Sequence, residues 1–196
     1  MIPLRATFEE AVWKRVLSAD ERILLAVRRW ESRSMTRLMR ALTRVGDPAS
    51  WVFVGLALGF SGGEGPRYCA LLGVAAGLAL AGSQLLKRLC CRRRPDCGIG
   101  GFAALAENPD SFSFPSGHTA VAFAAAAAFA GQPLGILVLV LAAGIAVSRV
   151  YLGAHYPLDV AAGMLVGTVC GTAAKLLVVQ YPLLQLVGYA TLASVF

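Results

Sequence analysis

The chain has 196 residues, 57% of them hydrophobic, with a mean hydropathy of +0.66 and a formal charge of +7. That length suits one domain, and the apolar content argues against an ordinary soluble protein, leaving a large soluble helical protein as the weaker alternative. Ten of the 18 Lys and Arg lie in residues 1–47, beside apolar runs, so membrane topology and anionic lipid explain the basic excess better than nucleic acid does.

Met1 to Leu17 lacks the continuous apolar core of a signal peptide. Residues 18–45 have helical periodicity, and Ser18-Ala19-Asp20-Glu21 fits a capping box with Ser18 as N-cap. Ile23, Val27, Trp30, Leu38, Leu42 and Val45 fall on one side; Arg22, Arg29, Arg33, Arg37, Arg40 and Arg44 fall on the other. The expectation is an interfacial amphipathic helix with a potential break near Ser32-Arg33-Ser34; packing on the protein with a solvated face is the alternative.

Gly46-Asp47-Pro48 ends that segment. A helix crossing a hydrocarbon core of about 30 Å needs roughly 20 residues, and five apolar runs follow. They are Ala49 to Phe60, which is short, Tyr68 to Leu86, an Ala-rich run from Pro115 to Ala130, Leu134 to Val147, and Leu158 to Val179. Gly and Ala in the second run allow close helix packing. A loop spans residues 96–114, in which Asp110, Phe112 and Phe114 are expected to order the chain. The apolar segment 183–196 is too short to be assigned as a span. The expected fold is an all-α, polytopic transmembrane helical bundle with an N-terminal amphipathic helix. Its parts are residues 1–47, a transmembrane domain over 48–182, and the C-terminal segment 183–196. Nothing in the pattern sets an oligomeric state.

Alternation of the spans brings Lys87–Pro95, Pro115–His118 and Ser148–Asp159 to one side of the membrane. That side carries 16 of the basic residues; the other has only Arg67 and Lys175. The positive-inside rule turns this mouth to the cytoplasm of a cell inner membrane. An outward-facing mouth is the alternative.

The residues at this mouth have complementary chemistry. Lys87, Arg94 and Arg149 supply fixed positive charge, and arginine's planar fork matches phosphate oxygens. Ser116, with the N–H groups of Gly117 and His118, lies at a helix start, which attracts anions. His155 precedes Pro157, and Asp159 in the next helical turn can reach back to it, fixing a tautomer and leaving the other ring nitrogen as nucleophile or base. His118 is suited to protonate a leaving group. The cations would stabilise an in-line phosphoryl transfer, and with no carboxylate cluster nothing suggests a metal or other cofactor. Taken singly, a basic run is usually a topology flank, a histidine at a span's end an interface residue, and an aspartate at a helix start a cap. Chain order and one-sided placement give the combination its weight. Arg88, Arg92 and Arg93 read as topology charges, and Tyr151 and Tyr156 as interface aromatics. Cys69 and Cys170 read as small core residues; Cys90, Cys91 and Cys97 lack histidine partners at zinc-ligand spacing.

Lys87-x6-Arg94-Pro95, Pro115-Ser116-Gly117-His118 and Ser148-Arg149-x5-His155-x3-Asp159 together resemble the three-part signature of the type 2 phosphatidic acid phosphatase superfamily, over roughly residues 47–180. The resemblance implies a helical bundle hydrolysing membrane lipid phosphates or diphosphates without metal. It implies His155 as the nucleophile forming a phosphohistidine, Asp159 as its orienter and His118 as acid, then activator of water. Lys87, Arg94, Ser116, Gly117 and Arg149 would bind the phosphoryl oxygens. Candidate substrates are polyprenyl-linked sugar phosphates, phosphatidylglycerophosphate-like lipids and phosphatidic acid; undecaprenyl diphosphate recycling on the outer face is the runner-up and would need the opposite orientation. Vanadium-dependent haloperoxidases share the motif set but are typically larger and soluble. A non-catalytic lipid binder would need the cations but not the two histidines.

Overall fold

The computed structural model describes residues 4–106 and 110–180. The segment 183–196 therefore lies outside the described residues. Among these there are eight helices: α1 (Leu4–Arg28), α2 (Arg33–Val45), α3 (Pro48–Gly59), α4 (Gly65–Cys90), the single turn α5 (Pro95–Gly98), α6 (Gly117–Ala128), α7 (Gly135–Tyr151) and α8 (Pro157–Gln180). The chain forms an all-α membrane bundle. On length and composition α4 and α8 can each cross a bilayer, whereas α3, α6 and α7 are shorter apolar helices.

The N-terminal expectation needs correction. The helix does not start at Ser18; α1 runs through it, and the Ser18 hydroxyl donates to the Arg15 carbonyl at 2.9 Å. A serine inside a helix satisfies itself by bonding back one turn, so the capping pattern is overridden by helix-forming residues before it. The break does fall near Ser32, which is the N-cap of α2 and accepts the Met35 N–H at 3.3 Å. The single expected helix is thus two, and α2 turns Met39 and Thr43, both buried, towards the bundle.

Helix α6 is the hub, packed against α4, α7 and α8. Its 12 residues are mostly alanine and are buried on nearly every side, as expected of a helix that is apolar all round. Gly163, Gly167 and Gly171 on α8 form a small-residue stripe against it. A Cβ at any of them would run into α6 backbone; at Gly163 it would lie 2.6 Å from the Ser116 carbonyl. Small residues at such spacing let two helices touch backbone to backbone. This close approach sets the start of α6, with Ser116 to His118, beside the start of α8, with Asp159.

Candidate functional site

The polar segments named from the sequence meet at one end of the bundle. A cavity of about 780 Å³ there is lined by Lys87, Arg94, Gly117, His118, Arg149 and His155, together with residues of α2 and the Gly46–Pro48 turn. Six of the eight candidate residues thus face one space. Ser116 and Asp159, both 0% exposed, lie behind it. The Ser116 hydroxyl accepts from the Thr119 hydroxyl at 3.0 Å, and the Ser116 N–H donates to the Asp159 carbonyl at 2.9 Å.

The cations arrive from three directions. Lys87 lies in the last turns of α4 and is buried. Arg94 is the extended residue before α5; its Nη1 donates to the Ala154 carbonyl at 2.7 Å and its Nε to the Asp110 carbonyl at 2.8 Å. Arg149, near the end of α7, donates from Nη1 to the Thr43 hydroxyl at 2.6 Å. Its Nε is buried and has no hydrogen-bond partner among the described residues. An orphaned guanidinium donor beside a cavity fits an anionic ligand.

His155 is 1% exposed, between α7 and α8. Its Nδ1 lies 2.7 Å from the Ser113 carbonyl, and its Nε2 lies 3.3 Å from Arg94 Nη1. A carbonyl only accepts and a guanidinium only donates, so Nδ1 carries the proton and Nε2 the lone pair. Burial first, then Arg149, Arg94 and Lys87, hold the ring's pKa well below its ordinary value. The ring is therefore neutral. A short pairing of the chain on either side of the loop aims the Ser113 carbonyl: Arg93 bridges Phe112, and the Ser113 N–H donates to the Arg92 carbonyl at 2.8 Å.

The backbone, not Asp159, thus makes the close hydrogen bond to His155. Asp159 Oδ2 is 3.7 Å from His155 Nδ1 and accepts the Tyr156 N–H at 2.9 Å. Asp159 Oδ1 accepts from Arg92 Nη1 at 2.7 Å. Arg92, expected as a topology charge, is therefore part of the site's support. Its guanidinium lies 4.1 Å from the centroid of the Tyr156 ring. The two tyrosines are likewise not interface residues: both are buried, and the Tyr151 hydroxyl accepts the Ser32 N–H at 3.1 Å. A run of arginines looks like a flank in sequence because the partners of Arg92 are distant in the chain.

Two further acids stand at the cavity. Asp110 bridges Lys87 and Arg94 through its carboxylate. Burial would raise its pKa, but hydrogen bonds from Lys87 and Arg94, and their charge, hold it below the usual carboxylate range. Asp47 begins α3 without capping it, and instead accepts from His118 Nε2 at 2.7 Å. An aspartate at a helix start on the cationic side was a usable signal in the sequence; the loop acid Asp110 carried none beyond its loop.

The family model described as the PAP2 superfamily matches residues 68–181. A decaprenylphosphoryl-5-phosphoribose phosphatase of Mycobacterium tuberculosis is 35% identical over 139 residues, covering 70% of this chain and 77% of that one. A lipid A 1-phosphatase of Rhizobium johnstonii is 33% identical over 151 residues, covering 64% of this chain and 61% of the relative. The crystal structure of a transmembrane PAP2 type phosphatidylglycerolphosphate phosphatase from Bacillus subtilis superposes with a TM-score of 0.70 at 27% identity, covering 82% of this chain and 85% of that one.

Proposed function

Because the chain belongs to the PAP2 superfamily, and is therefore a lipid phosphate phosphatase, we propose that it hydrolyses a phosphomonoester or diphosphate on a polyprenyl or glycerophospholipid carrier through a phosphohistidine, without metal. The observation that carries this reading is the His155 ring, neutral, locked through Nδ1 on Ser113 and presenting the Nε2 lone pair to a cavity with three buried cations.

In the first step the Nε2 lone pair attacks phosphorus in line with the lipid oxygen. The N–P bond forms, the P–O bond to the lipid breaks, and His118 gives its proton to the departing oxygen. Lys87, Arg94 and Arg149 hold the equatorial oxygens, with the N–H groups at the start of α6. The orphaned Arg149 Nε is one donor suited to this. In the second step water attacks phosphorus and passes a proton to His118. The N–P bond breaks, phosphate leaves, and Nε2 regains its lone pair.

The charge count of 16 basic residues against two supports a cytoplasm-facing mouth. Together with the name of the M. tuberculosis relative, this supports a polyprenyl-linked sugar phosphate as substrate, ahead of phosphatidylglycerophosphate and phosphatidic acid. A phosphate-release panel over these lipids and polyprenyl diphosphates tests the ranking. Preference for a polyprenyl diphosphate would favour the outward-facing alternative. Cys97, exposed and free, reads sidedness: an impermeant thiol reagent that labels it on intact cells would reverse the orientation. Full phosphate release in the presence of a chelator is expected; loss of activity restored by a divalent ion would remove the metal-free step.

A further inference from the structure

One buried charge lies outside both the family match and the three motifs. Asp20, in the middle of α1, is 1% exposed. A carboxylate taken out of water is costly unless fully paired, and both of its oxygens are engaged. Oδ2 accepts from Arg92 Nη2 at 2.6 Å, and Oδ1 accepts the Leu158 N–H at 2.8 Å, in the first turn of α8. The other arm of the same guanidinium holds Asp159 Oδ1 at 2.7 Å. Arg92 thus clamps two buried carboxylates, one from α1 and one from α8, with its guanidinium over the Tyr156 ring.

The charge balance gives this arrangement a consequence. Around His155 stand Lys87, Arg94 and Arg149, with Asp159 on its Nδ1 side. An Arg92–Asp159 pair alone would be neutral and would cancel the carboxylate that faces the ring. Asp20 makes the set a triad of net charge −1. That charge favours the positive ring that develops as Nε2 bonds to phosphorus. Asp20 also ties α1 to the first turn of α8, the turn that carries Asp159.

We propose that Asp20 is a positioning residue of the phosphatase site: through Arg92 it holds Asp159 beside His155 and keeps net negative charge behind the nucleophile. The proposal rests on the phosphohistidine reading above. It assigns the N-terminal helix a part in the chemistry, through a residue some fifty positions before the family match begins.

Purified full-length Asp20→Asn, Arg92→Lys, Asp159→Asn, Asp20→Asn/Asp159→Asn and His155→Ala test it by steady-state phosphate release, normalised to folded protein from thermal unfolding. Asp20→Asn should lower kcat about 10–100-fold with KM within about twofold, the pattern of a lost transition-state interaction and the size typical of a histidine's supporting partner. Arg92→Lys, which keeps charge but loses the fork, should give the same split and stands in if Asp20→Asn does not fold. In the Asp159→Asn background the second change should cost less than about twofold, because both act through one group. Wild-type kcat in Asp20→Asn, a loss confined to KM, a loss accounted for by the unfolded fraction, or full additivity with Asp159→Asn would each overturn the role, while an inactive His155→Ala left the chemistry standing. An active His155→Ala would overturn the phosphohistidine reading instead.

Discussion

His155 is 1% exposed with both ring nitrogens engaged, whereas the side chain of His118 is 16% exposed and its Nε2 rests on Asp47, whose side chain is 48% exposed. The inner half of the site is buried and held by several contacts: a backbone carbonyl fixes the tautomer, and Arg92 with two buried acids backs it. The outer half is half-wet, and its acid–base pair can exchange protons with water. A nucleophile works in one protonation state throughout, while a general acid must lose and regain a proton each turnover. The burial of each histidine matches its proposed task.

Removing each half should therefore fail differently. His155→Ala should lower kcat by about 10⁴ or more for every substrate, as loss of a nucleophile does. His118→Asn should cost about 10²–10⁴ with a lipid alkoxide leaving group, the usual size of general-acid catalysis. Read in kcat/KM, which reports the first step alone, it should cost far less with an aryl phosphate, whose phenolate leaves unaided. Equal losses with the two leaving groups would end the division of labour. A third change probes the cations: Asp110→Asn removes the acid that bridges Lys87 and Arg94. It should tighten inhibition by inorganic phosphate by up to about fivefold, the scale of a partly exposed ion pair. Weaker inhibition would mean that Asp110 builds the cradle instead of competing for it.

The smallest expected effect is in pH. His155 has a pKa held well below its ordinary 6.5 by burial and by Arg149, Arg94 and Lys87. The neutral nucleophile should persist as pH falls through 6.5, so kcat/KM should show no acid limb there from His155. Stability has the matching sign. The unfolded chain takes up a proton that the folded site refuses, so this contribution is complete above 6.5 and is lost progressively below it. Asp110, also lowered, adds a loss only at more acid pH, below its ordinary 3.8. Thermal unfolding of wild type and His155→Ala across this range checks the sign: the gap between them should shift in favour of the variant in acid.

The meeting of Lys87, Arg94, His118, Arg149 and His155 was legible because alternating spans return the chain to the same side, and that holds whatever the packing. The break near Ser32 was legible in the sequence as a place, and the structure shows the cause, Ser32 capping α2. Ser18 shows the limit of such signals: the same residue type, with an acid three positions on, sits inside a continuous helix. The Gly163, Gly167 and Gly171 stripe was present in the chain as a regular repeat, and its meaning appears once α6 lies against it. The supports of the site were hidden for a different reason. Arg92 meets Asp20 across 72 positions and Asp159 across 67, and Ser113 serves His155 through a backbone atom that every residue possesses. Motifs mark side chains that are chemically unusual; they do not mark an ordinary carbonyl or a charge whose partner comes from another helix.

In the proposed mechanism His155 Nε2 carries the phosphoryl group between the two steps. Rapid acid-free quenching of the enzyme during turnover of a radiolabelled lipid phosphate, followed by peptide mapping in alkali, reads this directly. Alkali-stable, acid-labile label is expected on His155, more of it when His118→Asn turns over a labelled aryl phosphate, whose first step needs no acid while the second is slowed, and none in His155→Ala. Turnover with no label on His155, or hydrolysis at the wild-type rate by His155→Ala, would contradict it.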